Sequence, residues 1–149
     1  MSRIAIFASG SGSNFITIYN NTLNGEIENT EVVLLVSNNS HSNAVDFAKK
    51  NGIETFIINS IRYPSKKEYN NALKEKLLRM NLDLIVLAGY MKLIPASITS
   101  LFEDEIINIH PGKLPDFGGK GMYGLNVHQA VIRSKQAYTA VTVHYGTLR

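Results

Sequence analysis

The sequence predicts an α/β protein built on a mostly parallel sheet flanked by helices. Three observations carry this. Short apolar runs alternate with helix-patterned segments along the whole chain, which is the pattern of right-handed βαβ units. The 149 residues contain no composition shift, long linker or internal repeat, so one domain is expected. Three features, Ser9–Asn14, Met91–Ile94 and Asn108–His110, each close an apolar run. In sheets of this kind ligands sit beyond the carboxyl ends of the strands.

The elements follow in order. Ile4–Ala8 is a short apolar strand. Asn14 is placed to cap a helix to about Leu23, with Gly25 as its stop signal. "VVLLV", Val32–Val36, is a second strand, and Ser42 opens the helix "NAVDFAKK", which stops at Asn51–Gly52. "ETFIIN" is a third strand. Ser65 followed by Glu68 forms a capping box for a helix to about Met80. "LDLIVLAGY" is apolar enough to be buried on both faces. A short helix over Pro95–Phe102 leads into the strand "EIINIH". A helix near Val127–Arg133 and the β-branched strand "YTAVTVHY" complete the pattern.

Composition bounds the function. A domain near this length buries roughly 68–70% of its unfolded surface, enough for a core without staples. The absence of cysteine excludes disulfides and thiolate metal sites, and no metal is expected. The net charge of +3 is mild, and its lysines are spread over Lys49–Lys50, Lys66–Lys67 and the Lys74–Arg79 segment. They read as solvated helix faces rather than a nucleic-acid patch, while a modest positive field still helps capture small anions. The apolar part of "MSRIAIFASGSGSN" is too short for a signal peptide, and no run approaches the ~20 residues of a membrane span. A cytoplasmic protein with small-molecule partners is therefore expected; the sequence carries no signal for oligomeric state.

Two stretches could carry chemistry. "SGSGSN" lies between a strand and a helix. Glycines let backbone approach a ligand, and a helix N-terminus offers free N–H groups and a positive dipole end suited to phosphate. Ser11, Ser13 and Asn14 add side-chain donors. The run is neither Gly-x-Gly-x-x-Gly nor an NTPase loop, so a monophosphate is favoured over a dinucleotide or ATP. The same residues also fit an ordinary glycine turn with an asparagine cap. In "IINIHPGKLP", strand alternation points Asn108 and His110 the same way and Ile107 and Ile109 the other. An amide can donate to a developing oxyanion, and a histidine exchanges a proton near neutrality. Together they suit acyl-type transfer with the nucleophile supplied by a substrate; a strand-end pair bonded to loop backbone is the structural alternative.

The combination of "SGSGSN", "LAGYMKLIP" and "NIHPGKLPDFGGKG" resembles the phosphoribosylglycinamide formyltransferase family over Arg3–Tyr145. The Asn-x-His-Pro-x-x-Leu-Pro element is common to folate-dependent formyl transfer; the Ser/Gly/Asn loop narrows the acceptor. The resemblance implies a Rossmann-like formyltransferase fold. It implies attack of the glycinamide ribonucleotide amine on the formyl carbon of 10-formyltetrahydrofolate, in purine synthesis. Asn108 would stabilise the oxyanion and His110 would donate a proton as the intermediate collapses. Gly12, Ser13 and Asn14 would hold the ribonucleotide phosphate. Met91, Lys92, Leu93 and Ile94 would line the folate pocket, with Asn108 beside it and Lys66 near the folate. The family more often has arginine at the positions of Lys66 and Lys92, and lysine keeps the charge without the planar fork. "GGKGMYG", residues 118–124, would be a mobile loop near the site or a plain surface connection. His128 and His144 match histidines of relatives, and His41 reads as a loop residue.

One departure stands out. The resemblance implies an aspartate shortly after "TVHY" that raises the histidine's proton affinity, whereas this sequence reads "TVHYGTLR" to Arg149. The expectation is a single domain over residues 1–149 lacking the usual C-terminal segment, weakly active and of reduced stability. The alternatives are another folate-dependent formyl-transfer or formyl-hydrolase enzyme, or a remnant that binds without turnover.

Overall fold

The computed structural model describes residues 1–110 and 142–145. The helix expected near Val127–Arg133, the stretch 118–124 and His128 lie outside them. Among the described residues, six strands form one sheet: β1 (Ser2–Phe7), β2 (Thr30–Ser37), β3 (Glu54–Ile57), β4 (Leu84–Leu87), β5 (Ile106–His110) and β6 (Thr142–Tyr145). Their order is β3-β2-β1-β4-β5-β6. All neighbours are parallel except β6, which runs antiparallel to β5 with Asn108 opposite His144 and His110 opposite Thr142.

Four helices among those residues cover the sheet: α1 (Ser13–Leu23), α2 (Asn43–Lys50), α3 (Lys66–Arg79) and α4 (Ala96–Leu101). The chain moves outward from β1 to β2 to β3, then returns to β4 on the far side of β1. Right-handed crossovers therefore put α1 and α2 on one face and α3 and α4 on the other. The core divides the same way. Ile4, Ile6 and Ala8 pack with Phe15, Ala44 and Val45, whereas Ala5 and Phe7 pack with Leu73, Leu77 and Ile98. In β4, Val86 joins the first cluster and Ile85 the second, so the strand is buried on both faces as its sequence predicts.

Local chemistry explains most boundaries. Ser42 caps α2, its Oγ accepting from Val45 N at 3.3 Å. Ser65 caps α3 in the same way, accepting from Glu68 N at 3.4 Å. In β2 the register slips between Ile4–Val32 and Ala5–Leu34. This bulge resets the alternation, so Val33 and Leu34 both pack on the α3/α4 face while Val32 and Leu35 serve the other. The expected Asn14 cap is corrected. Gly12 occupies the N-cap position at φ 74°, and the helix begins at Ser13 with no side-chain cap. The left-handed glycine turns the chain into the helix two residues early, and its carbonyl accepts from Ile16 N at 2.8 Å.

Candidate functional site

The strand order reverses at β1 and β4, and the loops that follow these two strands diverge from a crevice. After β1 come Ser9, Gly10, Ser11 and Gly12. Gly12 is buried, and a Cβ on it would lie 2.8 Å from the Cβ of Ala44 in α2. Beyond it, Ser13 and Asn14 are exposed at the start of α1. A helix start leaves its first N–H groups without intrahelical partners, and among the described residues no side chain caps them. The result is a set of free donors at the positive end of the α1 dipole, flanked by the Ser13 hydroxyl and the Asn14 amide.

Across the crevice lies the segment after β4. Gly89 turns the chain at φ 77°. Its carbonyl accepts from Ser9 N at 3.2 Å, and Met91 N donates to Ser9 Oγ at 2.9 Å. Ser9 is 6% exposed, so the link between the loops is shielded. Past it, Met91 and Leu93 are 55% and 94% exposed, Lys92 is exposed, and Ile94 packs on the α3/α4 core. An apolar wall thus stands beside a polar loop.

β5 supplies the third component. Ile107 and Ile109 pack on the α1/α2 core, as alternation predicts, which leaves half-buried Asn108 to the opposite face. Asn108 pairs with Leu87 at the end of β4, close to Gly89–Met91 along the chain. His110 ends β5 two residues on. The sheet therefore gathers Gly12–Asn14, Met91–Ile94 and Asn108–His110 at one edge, the carboxyl ends of β1, β4 and β5.

Lys66 belongs to α3, the helix that follows β3. It is exposed at the first position of α3, one turn from Tyr69. Tyr69 and Lys92 line an open cleft of about 320 Å³ with Asn38, Ile58, Asn59, Ser60 and Ile61. Tyr90, beside Tyr69, stacks edge-on against Phe7 at 5.1 Å. Its hydroxyl is buried and meets no partner at hydrogen-bond geometry among the described residues. Burial first, and the neighbouring Tyr69 phenol second, push its ionisation far above the ordinary tyrosine range. Asn38 Oδ1 is likewise buried without a partner among those residues. Sequence reasoning did not single out Tyr90, Asn38 or the bridging role of Ser9; a serine that closes an apolar strand was the one signal available.

No group of three or more His, Asp or Glu among the described residues could hold a metal ion. No helix among them is long and apolar enough to cross a membrane.

The description "Formyl transferase" belongs to a family model that matches residues 2–147. The chain belongs to the formyl transferase family. It is similar to a chloroplastic phosphoribosylglycinamide formyltransferase of Arabidopsis thaliana, with 40% identity over 96% of this chain and 49% of that protein. It also resembles the crystal structure of glycinamide ribonucleotide transformylase 1 from Geobacillus kaustophilus, at TM-score 0.89 and 35% identity over 100% of this chain and 76% of the other. A formyltetrahydrofolate deformylase from Pseudomonas syringae shares the fold at TM-score 0.79, with 20% identity over 97% of this chain and 45% of that one. The chain spans about half the length of the curated relatives it matches. These likenesses bear out the expected Rossmann-like formyltransferase fold.

Proposed function

We propose that this formyl transferase chain carries the transfer of a formyl group from 10-formyltetrahydrofolate to the amine of 5'-phosphoribosylglycinamide, a step of purine synthesis. The observation that carries the reading is the uncapped start of α1 behind the Gly12 turn. It offers a monophosphate a positive dipole end and free N–H donors, and it is tied through Ser9 to the apolar Met91–Ile94 segment, where a flat aromatic cofactor finds a wall. The relatives named for this reaction support the same choice of substrates.

In this reading Gly12, Ser13 and Asn14 hold the ribonucleotide phosphate. Met91, Leu93 and Ile94 cover the folate ring system, and Lys92 and Lys66 offer cationic contacts to its carboxylates. The ribonucleotide amine attacks the formyl carbon. A carbon–nitrogen bond forms, and the carbonyl oxygen takes up the negative charge. Asn108 donates to that oxyanion. The carbon–N10 bond then breaks, N10 takes a proton from His110, and the attacking nitrogen releases one. No nucleophile from the protein is needed, because both reacting atoms belong to the substrates.

A turnover assay with 10-formyltetrahydrofolate, run with and without the ribonucleotide, tests this. Tetrahydrofolate should appear only when the ribonucleotide is present. Equal release in its absence would point to hydrolysis and overturn the reading. Tight binding of both ligands with no turnover would leave a binding protein, and the transferase assignment would fall.

A further inference from the structure

The start of α2 plays no part in the chemistry above, yet it holds the loop on which the ribonucleotide reading rests. We propose that Asn43 is a positioning residue for that loop, an inference that depends on the phosphate assignment. Three contacts motivate it. Asn43 Nδ2 donates to the Ser11 carbonyl at 2.8 Å. Ala44 N donates to the Gly10 carbonyl at 3.2 Å. The Ala44 methyl fills the space that a Gly12 side chain would need, 2.8 Å from its Cβ position.

Peptide geometry converts these contacts into a function. In a planar trans peptide the C=O of one residue and the N–H of the next point in opposite directions. With the Gly10 and Ser11 carbonyls drawn toward α2, the N–H groups of Ser11 and Gly12 are turned away from α2. They join the free N–H groups at the start of α1 on the open side of the loop. Carbonyl oxygens repel a phosphate, so anchoring them removes the conformers in which the loop presents the wrong dipole. The anchor is itself rigid: Phe47 of α2 meets Phe15 and Tyr19 of α1 edge-on, each at 5.7 Å.

Asn43 is separable from the stability of α2. Ser42, not Asn43, caps the helix, and Asn43 is exposed at its first position. Alanine is a good helix former, so Asn43→Ala removes the bond to the loop without weakening α2. Asn43→Asp keeps the shape but loses the donor, and it sets a negative charge against the Ser11 carbonyl. An aspartate in the first helical turn favours the helix, so its thermal midpoint should not fall.

The experiment is calorimetric titration of the parent chain and both variants with glycinamide ribonucleotide and, separately, 10-formyltetrahydrofolate, alongside melting curves and steady-state kinetics. Loss of one hydrogen bond predicts a ribonucleotide Kd about 3–10-fold higher for Asn43→Ala, with a larger rise for Asn43→Asp. The folate Kd and kcat should stay within about twofold, with no drop in Tm. An unchanged ribonucleotide Kd in both variants, equal weakening of both ligands, or weakening that tracks a fall in Tm would overturn the positioning role while the ribonucleotide reading stands. A parent chain that binds the folate but not the ribonucleotide would overturn that reading, and this role with it.

Discussion

Replacing Gly12 by alanine gives the sharpest test of how the loop is built. Gly12 sits at φ 74°, where an L-residue costs roughly 1–2 kcal/mol. The new Cβ would meet the Ala44 Cβ at 2.8 Å and its Cα at 3.0 Å. Ala44 is fully buried in the α1/α2 core and cannot rotate away. Overpacking of a fixed site costs typically about 1–3 kcal/mol. Together the effects predict a loss of about 2–5 kcal/mol, a large part of an ordinary domain's stability. Urea unfolding read by circular dichroism measures it, with an unchanged m-value as the sign of an intact two-state transition. The companion Ala44→Gly change removes the 2.8 Å contact but leaves both the 3.0 Å contact and the strained φ. The double variant should therefore recover about 1–2 kcal/mol of coupling energy and no more. A Gly12→Ala loss below about 0.5 kcal/mol would refute the reasoning, because neither the strain nor the contact would then be real. Full recovery in the double variant would refute the φ component alone.

Three further outcomes are expected. Ser13→Ala combined with Asn14→Ala should weaken ribonucleotide binding by about 10-fold or more, since bonds to a charged phosphate exceed neutral ones, while calorimetry with the folate shows little change; matching losses would reduce the loop to a structural element. Asn108→Ala should cost about 10²–10³ in turnover and His110→Ala at least as much, with the double variant little worse than the worse single; near-normal rates for His110→Ala would remove it from the mechanism. Tyr90→Phe should leave stability near neutral pH within about 1 kcal/mol of the parent, because the buried hydroxyl it deletes has only the neighbouring Tyr69 phenol beside it among the described residues. It should also flatten an alkaline decline. As pH passes the free-tyrosine value of 10.0, the unfolded chain sheds the Tyr90 proton while the folded chain keeps it, so stability present below that pH is lost above it. Urea midpoints at about pH 9 and about pH 11 that fall equally in parent and variant would contradict this.

Local signals were legible and tertiary ones were not. Ser42 and Ser65 sit immediately before helix-patterned runs, and both cap because capping involves only residues three apart, although the Glu68 carboxylate does not return the bond that the expected capping box needs. The strand and helix alternation fixed the parallel sheet for the same reason. The start of α1 was misread because Asn14 has the right chemistry for a cap, while the true boundary depends on Gly12 meeting Ala44 more than thirty residues on. The β2 bulge was equally hidden: "VVLLV" has no break in its apolar run, and the slip shows only in its pairing with β1. Of the candidate site, the strand-end positions were readable, since strand ends are where this topology gathers ligands. The contacts between them were not, because Ser9 to Met91 and Asn43 to Ser11 join residues distant in sequence.

Ser9 turns that topology into a further expectation. At the reversal point the β1 and β4 loops would otherwise part, because their helices leave for opposite faces of the sheet. Ser9 holds them together twice, through its N–H to Gly89 and through its Oγ from Met91. The first bond survives any side-chain change and the second does not. Ser9→Ala should therefore leave the sheet intact but strand the partly buried Met91 N–H, at a cost of about 1 kcal/mol. The Met91–Ile94 wall and the Gly12 turn would then be free to move independently, so binding of either ligand would carry an added ordering cost. This predicts weaker affinity for both the ribonucleotide and the folate, unlike Asn43→Ala, whose effect should fall on the ribonucleotide alone. Calorimetry of the two ligands on the Ser9→Ala chain decides the matter. A one-sided loss would mean that Ser9 serves only its own loop and that the two halves of the crevice are built independently.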